Sequence, residues 1–366
     1  MKKSLLALAV LGAFAGAASA QSSVTLYGLI DIGIQRLDPK AANTPSTTGI
    51  AAGNQSGNRF GFRGSEDLGG GLRAVYQLEN GFNSDDGTLA QGGRIFGRWA
   101  WAGLAGSWGE VRLGRQWALG FEMFGSIDPW STGFNDAGIQ SVMSVANAVR
   151  PDNMVMYRSP NLSGFRVNAG YSFNMAPVQG NGAAVAEAAG SGNNNRFTTL
   201  GAQYGSGPLL VMATYEIYKP ASTTTIGSPV DAKYLQIGGT FDFKVAKLHA
   251  AYAMEEGIYN AGPTSLQPRR FALPATLPTN VTGPQDASAW QVGVTVPVGS
   301  LSLIGSWARR DFDAAALNDG RVYAVGFTYP LSRRTNFYGY YSDADQSNVT
   351  AANDRKEMTL GIRHSF

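Results

Sequence analysis

From about residue 24 onward, apolar or aromatic side chains recur at every second position in runs of roughly ten residues. Trp290, Val292, Val294 and Val296 alternate with Gln291, Gly293 and Thr295, and Tyr323, Val325, Phe327 and Tyr329 alternate with Ala324, Gly326 and Thr328. Phe165, Val167, Ala169 and Tyr171 stand against Arg166, Asn168, Gly170 and Ser172 in the same way. A period of two places one residue set on each face of a β-strand. In this part of the chain no stretch approaches the ~20 apolar residues of a spanning helix. The chain must therefore bury or satisfy its backbone through sheets.

Sixteen such segments can be delimited, at roughly 24–36, 57–66, 71–82, 94–104, 108–116, 152–159, 164–174, 196–204, 208–218, 232–242, 245–255, 287–297, 300–312, 320–330, 334–343 and 356–366. Their connections alternate short and long. "EDLGG", "NLSG", "GSG", "PVG" and "LSRR" are short, whereas 37–56, 83–93, 117–151, 175–195, 219–231 and 256–286 are long. A soluble sandwich has no reason to keep that order; a membrane barrel with tight turns at one rim and long loops at the other does. The less apolar face holds Arg, Asp, Glu, Gln and Asn, too much charge for a dry core. Turning that face toward water and the apolar face toward lipid resolves the conflict. Sixteen strands also leave an aqueous lumen, whereas eight are filled by side chains. Tyr27, Trp99, Trp101, Trp108, Trp290, Trp307, Tyr329, Phe337 and Phe366 are expected to form the aromatic girdles.

The first twenty residues, "MKKSLLALAVLGAFAGAASA", read as an export leader: Lys2 and Lys3, an apolar core, and Ala18-Ser19-Ala20 as the cleavage pattern. One barrel domain over 21–366 is then expected. Without Lys2 and Lys3 the 29 Lys and Arg fall to 27 against 26 Asp and Glu, so net charge gives no reason to expect a nucleic-acid partner. No cysteine is present, which excludes disulfides, thiolate metal sites and a cysteine nucleophile. The two histidines, His249 and His364, belong to no triad or metal spacing, and Gly69-Gly70-Gly71 lacks the Lys of a phosphate loop. Asn161, Asn280 and Asn348 open Asn-x-Ser/Thr triplets, read here as turn and loop composition. No catalytic site and no cofactor are expected.

Five stretches in order, "SSVTLYGLIDIGI", "RFGFRGSEDLGGGLRAVYQLE", "WGEVRLGRQ", "RPDNMVMYRSPNLSGF" and the terminal "LGIRHSF", resemble the general trimeric porins of Gram-negative outer membranes. The resemblance covers nearly all of 21–366. It implies a sixteen-stranded antiparallel β-barrel, a homotrimer in the outer membrane among phospholipid and lipopolysaccharide, and a third external loop folded into the pore. The loop in that position is 117–151, whose Met123, Phe124, Ile127, Trp130 and Phe134 would be out of place in free water. The implied function is passive diffusion of small hydrophilic solutes and ions, with a weak anion preference. An adhesin or receptor acting through long loops, 256–286 above all, is the alternative.

Fixing each early strand by its apolar face sorts the lumenal charges. Phe60 and Phe62 outward place Arg59 and Arg63 inward, and Leu72, Ala74, Tyr76 and Leu78 outward place Arg73, Gln77 and Glu79 inward. Trp99 and Trp101 outward would place Arg98 inward, and Val111 and Leu113 outward place Glu110 and Arg112 inward. Arg115 shares the outward parity, so a lumenal position would need a bulge. Asp31 is a lumenal acid, and the loop adds Glu122, Asp128 and Asp136. Arg150 matches a position that lines the eyelet in the resembled family. Arginines facing loop carboxylates would set a transverse field across the constriction. The chain ends at Phe366 inside an amphipathic strand, as a barrel seam requires, and a terminal Phe there resembles the signal read by the outer-membrane insertion machinery.

Overall fold

The computed structural model describes residues 23–41, 43–175, 194–221, 230–259, 266–274, 276–346 and 354–366; the expected leader at 1–20 lies outside the described residues. The alternating segments form strands β1 (Ser23–Pro39), β2 (Thr47–Ala52), β3 (Arg59–Gly69), β4 (Leu72–Gly81), β5 (Trp99–Gly106), β6 (Gly109–Arg115), β7 (Met154–Arg158), β8 (Phe165–Ser172) and β9 (Arg196–Ser206). They continue as β10 (Leu209–Lys219), β11 (Ala232–Asp242), β12 (Lys247–Ile258), β13 (Gln285–Val298), β14 (Leu301–Phe312), β15 (Gly320–Pro330), β16 (Thr335–Gln346) and β17 (Arg355–Ser365). From β3 onward each strand pairs antiparallel with the next. β17 returns to β1, from Leu29↔Ser365 to Pro39↔Arg355, and the sheet closes.

β2 and β3 share the other edge of β1, with Ile32↔Ala52 in one ladder and Leu29↔Arg59 in the other. They are two lengths of one stave, so the seventeen strands make a sixteen-stave barrel. The interruption between them turns inward and is tied to Asp31: Ser56 N–H donates to its carboxylate at 2.5 Å, and Asp31 N–H donates to Asn58 Oδ1 at 2.5 Å. The sequence places all of 37–56 in a loop; half of that span in fact extends the wall.

The apolar set faces outward. Leu26, Ile34, Leu113, Val325 and Leu360 are about three-fifths exposed on the protein alone, whereas Asp31, Glu79, Gln236 and Glu357 on the other face are buried. Among the described residues no helix is long and apolar enough to cross a membrane; the crossing is made by strands.

Two face assignments are overturned. Trp99 and Trp101 pair directly with Glu79 and Gln77 and so point inward, where both are buried. Tyr27 also points inward, donating to Glu79 Oε2 at 2.9 Å. Hydrophobicity misleads here because "WAWAGLAG" is apolar on both faces, and the two Trp serve as an inner aromatic shelf. Arg112 lies over Trp101 at 4.1 Å, and Trp99 packs on Trp117 of the following loop at 4.6 Å. Arg98 still reaches the lumen, because 94–98 precede the strand and do not obey its parity.

Phe366 takes part in this seam. Phe366 and Gly28 exchange backbone hydrogen bonds at 3.0 Å each way, and the Phe366 ring occupies the space where a Gly28 side chain would be. A Cβ on Gly28 would fall 2.2 Å from the ring edge. His364 beside it is exposed and bonds Thr335 Oγ1 at 2.8 Å, at the rim. Gly28→Val should displace the ring and destabilise the barrel by about 1–3 kcal/mol. The thermal midpoint of the folded-to-unfolded shift in detergent would fall, whereas Gly49→Ala, with nothing within 4 Å of an added Cβ, should leave it unchanged. Equal midpoints for Gly28→Val and the parent would reject the ring-on-glycine seam.

Candidate functional site

The long connection after β6 turns into the barrel. It forms helix α1 (Leu119–Phe124), then short helical turns at Asn135–Ala137 and Ile139–Ser141, before returning to β7. Phe124, Ile127, Trp130, Ile139, Val142 and Met143 are at most 1% exposed. They find room because the wall opposite carries small inward residues: Ala251, Ala253, Ala289, Ala308 and Ala344 join all of these but Trp130 in one cluster. Trp130 and Phe134 pack on Ile304, Ala324, Tyr338 and Tyr340 in a second cluster. Burying each large side chain is worth roughly 1.5–3 kcal/mol, so packing supplies most of the docking energy.

Polar latches fix the register of this loop. Gly120 N–H donates to Glu216 at 2.7 Å, and Trp130 Nε1–H donates to Ser306 Oγ at 2.7 Å. His249 Nδ1 lies 2.7 Å from the Ile127 carbonyl, which can only accept, so that nitrogen carries the proton. Glu255 and Arg310 form a fully buried pair at 2.8 Å. Glu255 also accepts from Ser144 N–H (2.8 Å) and Oγ–H (2.5 Å), while Arg310 donates to the Val142 carbonyl (2.7 Å). This pair grips the loop from both of its polar sides.

A second segment comes inward as well. Residues 266–274, from the connection read as the receptor candidate, pack Phe271 fully buried over Gly320. Arg269 N–H donates to the Gln140 carbonyl at 2.7 Å, and Asn147 donates to the Gln267 carbonyl at 2.9 Å. This stretch is a second layer on the pore loop, not a free external arm; 260–265 and 275 lie outside the described residues.

The acidic candidates are all engaged. Asp31 accepts from Tyr338 OH at 2.5 Å and from Ser56. Asp128 accepts from the loop amides of Thr132 (2.8 Å) and Ile139 (3.2 Å), and burial pushes its carboxyl up to about 6. Asp136 is buried among Arg270 (2.6 Å), Arg355 (2.7 Å) and Arg269 (3.5 Å). Burial opposes its charge, but those three guanidinium groups hold it below the usual carboxylate range. Glu122 is paired with Arg158 at 2.6 Å.

The basic candidates divide into two groups. Arg59, Arg98 and Arg150 come together near the loop's return, joined by Arg115. Arg98 is neutralised by Glu79 at 2.6 Å. Arg115 is held by Asp152 (2.8 Å) and the carbonyls of Gly97 and Arg150, so it lies inside at the strand end despite its outward parity. Arg150 is buried near Trp117 and Phe121, with the Ala148 carbonyl as its acceptor among the described residues. Burial, and the repulsion of Arg98 and Arg115, push its guanidinium well below the ordinary arginine range. Arg63 lies exposed over the Tyr27 ring at 5.2 Å. Arg73 and Arg112 instead line a chamber below α1, at the short-turn rim.

Arg158, Arg166, Arg269, Arg270, Arg310 and Arg355 are lumenal and were not singled out from sequence. Parity finds Arg166 beside Asn168 and Arg158 beside Met154 and Met156, but the two loop arginines have no parity to read. Among the described residues, no group of three or more His, Cys, Asp or Glu is placed to hold a metal.

A family model described as Gram-negative porin matches residues 7–349. An outer membrane porin protein of Bordetella pertussis is 41% identical across all of both chains. Among solved structures, the anion-selective porin from Comamonas acidovorans superposes with a TM-score of 0.72 at 25% identity, covering 94% of this chain and 100% of that one. A trimer form of OmpT of Vibrio cholerae gives 0.64 at 17% identity, covering 94% and 99%, a likeness of fold alone.

Breaking the Glu255–Arg310 latch should release the pore loop. Removing one partner of a buried pair leaves an uncompensated charge, worth about 3–5 kcal/mol. Arg310→Ala should therefore keep the barrel but make 117–151 cleavable by protease in detergent and increase current noise. Resistance equal to that of the parent would show that apolar packing alone holds the loop.

Proposed function

This chain belongs to the Gram-negative porin family and forms a channel in the outer membrane, and on that footing we propose that it passes small hydrophilic solutes with a preference for anions. The observation that carries the preference is unequal pairing inside the lumen. Of the four acidic candidates, Asp136 and Glu122 are paired with arginines and Asp31 and Asp128 are buried away from the open lumen, whereas Arg59, Arg63, Arg73 and Arg150 have no carboxylate partner among the described residues. Unpaired fixed charge of one sign raises the local concentration of the other. The anion-selective porin from Comamonas acidovorans agrees with this sign. The receptor alternative draws no support from relatives that are porins, or from a loop whose 266–274 stretch is folded inward.

The proposed assembly is a homotrimer, as in the trimer form of the Vibrio cholerae fold relative. Its contact face would include the apolar groove of Ile32, Ile34, Ile50, Phe337, Leu360 and Ile362 at the seam. The remaining apolar belt would meet phospholipid and lipopolysaccharide, and the strand ending at Phe366 would address the insertion machinery. Light scattering in detergent should give three chains per particle; a monomer mass would reject the trimer.

In planar bilayers under a KCl gradient, the reversal potential should have the sign of chloride preference. One lumenal unit charge at ~4 Å is worth about 1 kcal/mol in water, a several-fold bias in ion occupancy. Arg150→Ala and Arg59→Ala should each move the reversal potential toward zero while stepwise conductance persists. A parent reversal potential at zero or on the cation side would overturn the anion reading.

A further inference from the structure

Below the pore loop, toward the short-turn rim, the lumen opens into a chamber of about 500 Å³. Its wall runs across β4 to β10, and its roof is the underside of α1, through Leu119, Glu122, Met123 and Ser126. Four arginines line it: Arg73, Arg112, Arg158 and Arg166. Two carboxylates also line it and both are already used. Glu110 pairs with Arg112, and Glu122 pairs with Arg158. Arg73 and Arg166 are exposed to the chamber, with no carboxylate partner among the described residues.

The rest of the lining is mixed. Asn168 and Gln203 offer amides, and Gln203 stands directly across from Arg166 in the β8–β9 ladder. Ala105, Leu119, Met123, Pro160 and Leu210 supply apolar surface. A chamber that held only a bare halide would have no use for the apolar lining. Arg73 on β4 and Arg166 on β8 are four strand spacings apart, about 19 Å along the wall. Long arginine stems shorten that gap from both sides, leaving room for an elongated ligand with acid groups at each end.

We propose that this chamber is a binding station for small organic anions bearing two acidic groups, with Arg73 and Arg166 as the paired anchors and Arg112 and Arg158 as the charge background. The Glu110 and Glu122 pairs set the affinity low. They hold two of the four arginines against full engagement, so the ligand interrupts the current only briefly and then leaves. The site rests on the anion reading given above for its sign, but its location and its preference for two-headed ligands are independent of that reading. It lies on the periplasmic side of the loop, since short turns mark that rim. Ligand arriving from that side meets it before the constriction.

Chloride current through single trimers in planar bilayers, with succinate, acetate or inorganic phosphate added to one side at a time, tests the station. Succinate added at the short-turn side should produce resolvable current interruptions at lower concentration than acetate or phosphate. Losing a charge-assisted hydrogen bond costs about 1.5–3 kcal/mol, so Arg73→Gln/Arg166→Gln should weaken the succinate effect by at least about tenfold. Arg73→Lys/Arg166→Lys keeps the charges and should retain most of it. Unblocked conductance close to that of the parent shows that the variants are folded. Undiminished succinate interruption in the Gln pair would overturn the site. Equal effects of succinate and acetate would overturn the two-headed ligand. A chloride-preferring reversal potential without any succinate effect would reject the station and leave the anion reading standing. Succinate interruption with no chloride preference would do the reverse.

Discussion

In hydrocarbon, a backbone N–H or C=O without a partner has no water to fall back on, and each such group costs several kcal/mol. Every strand edge must therefore be consumed by another strand. That requirement is met at one place where the chain has only its two ends to offer, the β1–β17 ladder from Leu29↔Ser365 to Pro39↔Arg355. It also accounts for β2. The outer length of β1 would be an open edge if 37–56 were all loop, and Thr47–Ala52 covers it. The bare Gly28 under the Phe366 ring belongs to the same logic, because the ring seals the last residue of the circuit.

Closure turns the usual protein inside out, and the lumen then needs its own organisation. One half is dry. The wall from β9 to β16 presents Ala and Gly inward, and the apolar loop and Phe271 fill the space those small residues leave. The other half, from β3 to β8, keeps its arginines toward the open lumen. A single sheet thus serves as a packed core along one arc and as a water channel along the other. What separates them is side-chain volume on the inward face.

Sixteen alternating segments and their antiparallel order were legible from sequence because period and connection length are local properties, whereas the inward course of 117–151 was implied by a family resemblance and by apolar residues such as Trp130 and Phe134. Strand ends were not: β5 starts at Trp99, since Arg94–Arg98 spend their hydrogen bonds on Glu79, Asp152 and neighbouring loops. The face of β5 was unreadable because both of its faces are apolar, so only its partners, Glu79 and Gln77, decide that Trp99 and Trp101 look inward. The segment 266–274 was hidden for another reason. Its inward course depends on contacts with Gln140, Ser141 and Asp136, residues more than a hundred positions away. The individual arginines Arg59, Arg63, Arg73 and Arg112 followed from parity, but parity says nothing about which of them has a carboxylate within reach.

That last point governs the sign of the lumen. Holding an apolar loop against a barrel wall requires acceptors for its exposed amides, and carboxylates are the strongest acceptors available. On the wall, Glu216 takes Gly120 and Glu255 takes Ser144; within the loop Asp128 takes Thr132 and Ile139, and Asp31 holds Ser56 of the inward turn before β3. Arginines cannot accept, so they cannot substitute in these posts. These carboxylates keep their charge but hold it inside the packed loop and wall, while Arg63, Arg73 and Arg166 stay exposed. The anion preference proposed above thus depends on where the loop's fastening places the carboxylates as well as on where the arginines stand. A change in loop fastening that freed one of these carboxylates would alter ion preference without touching any arginine.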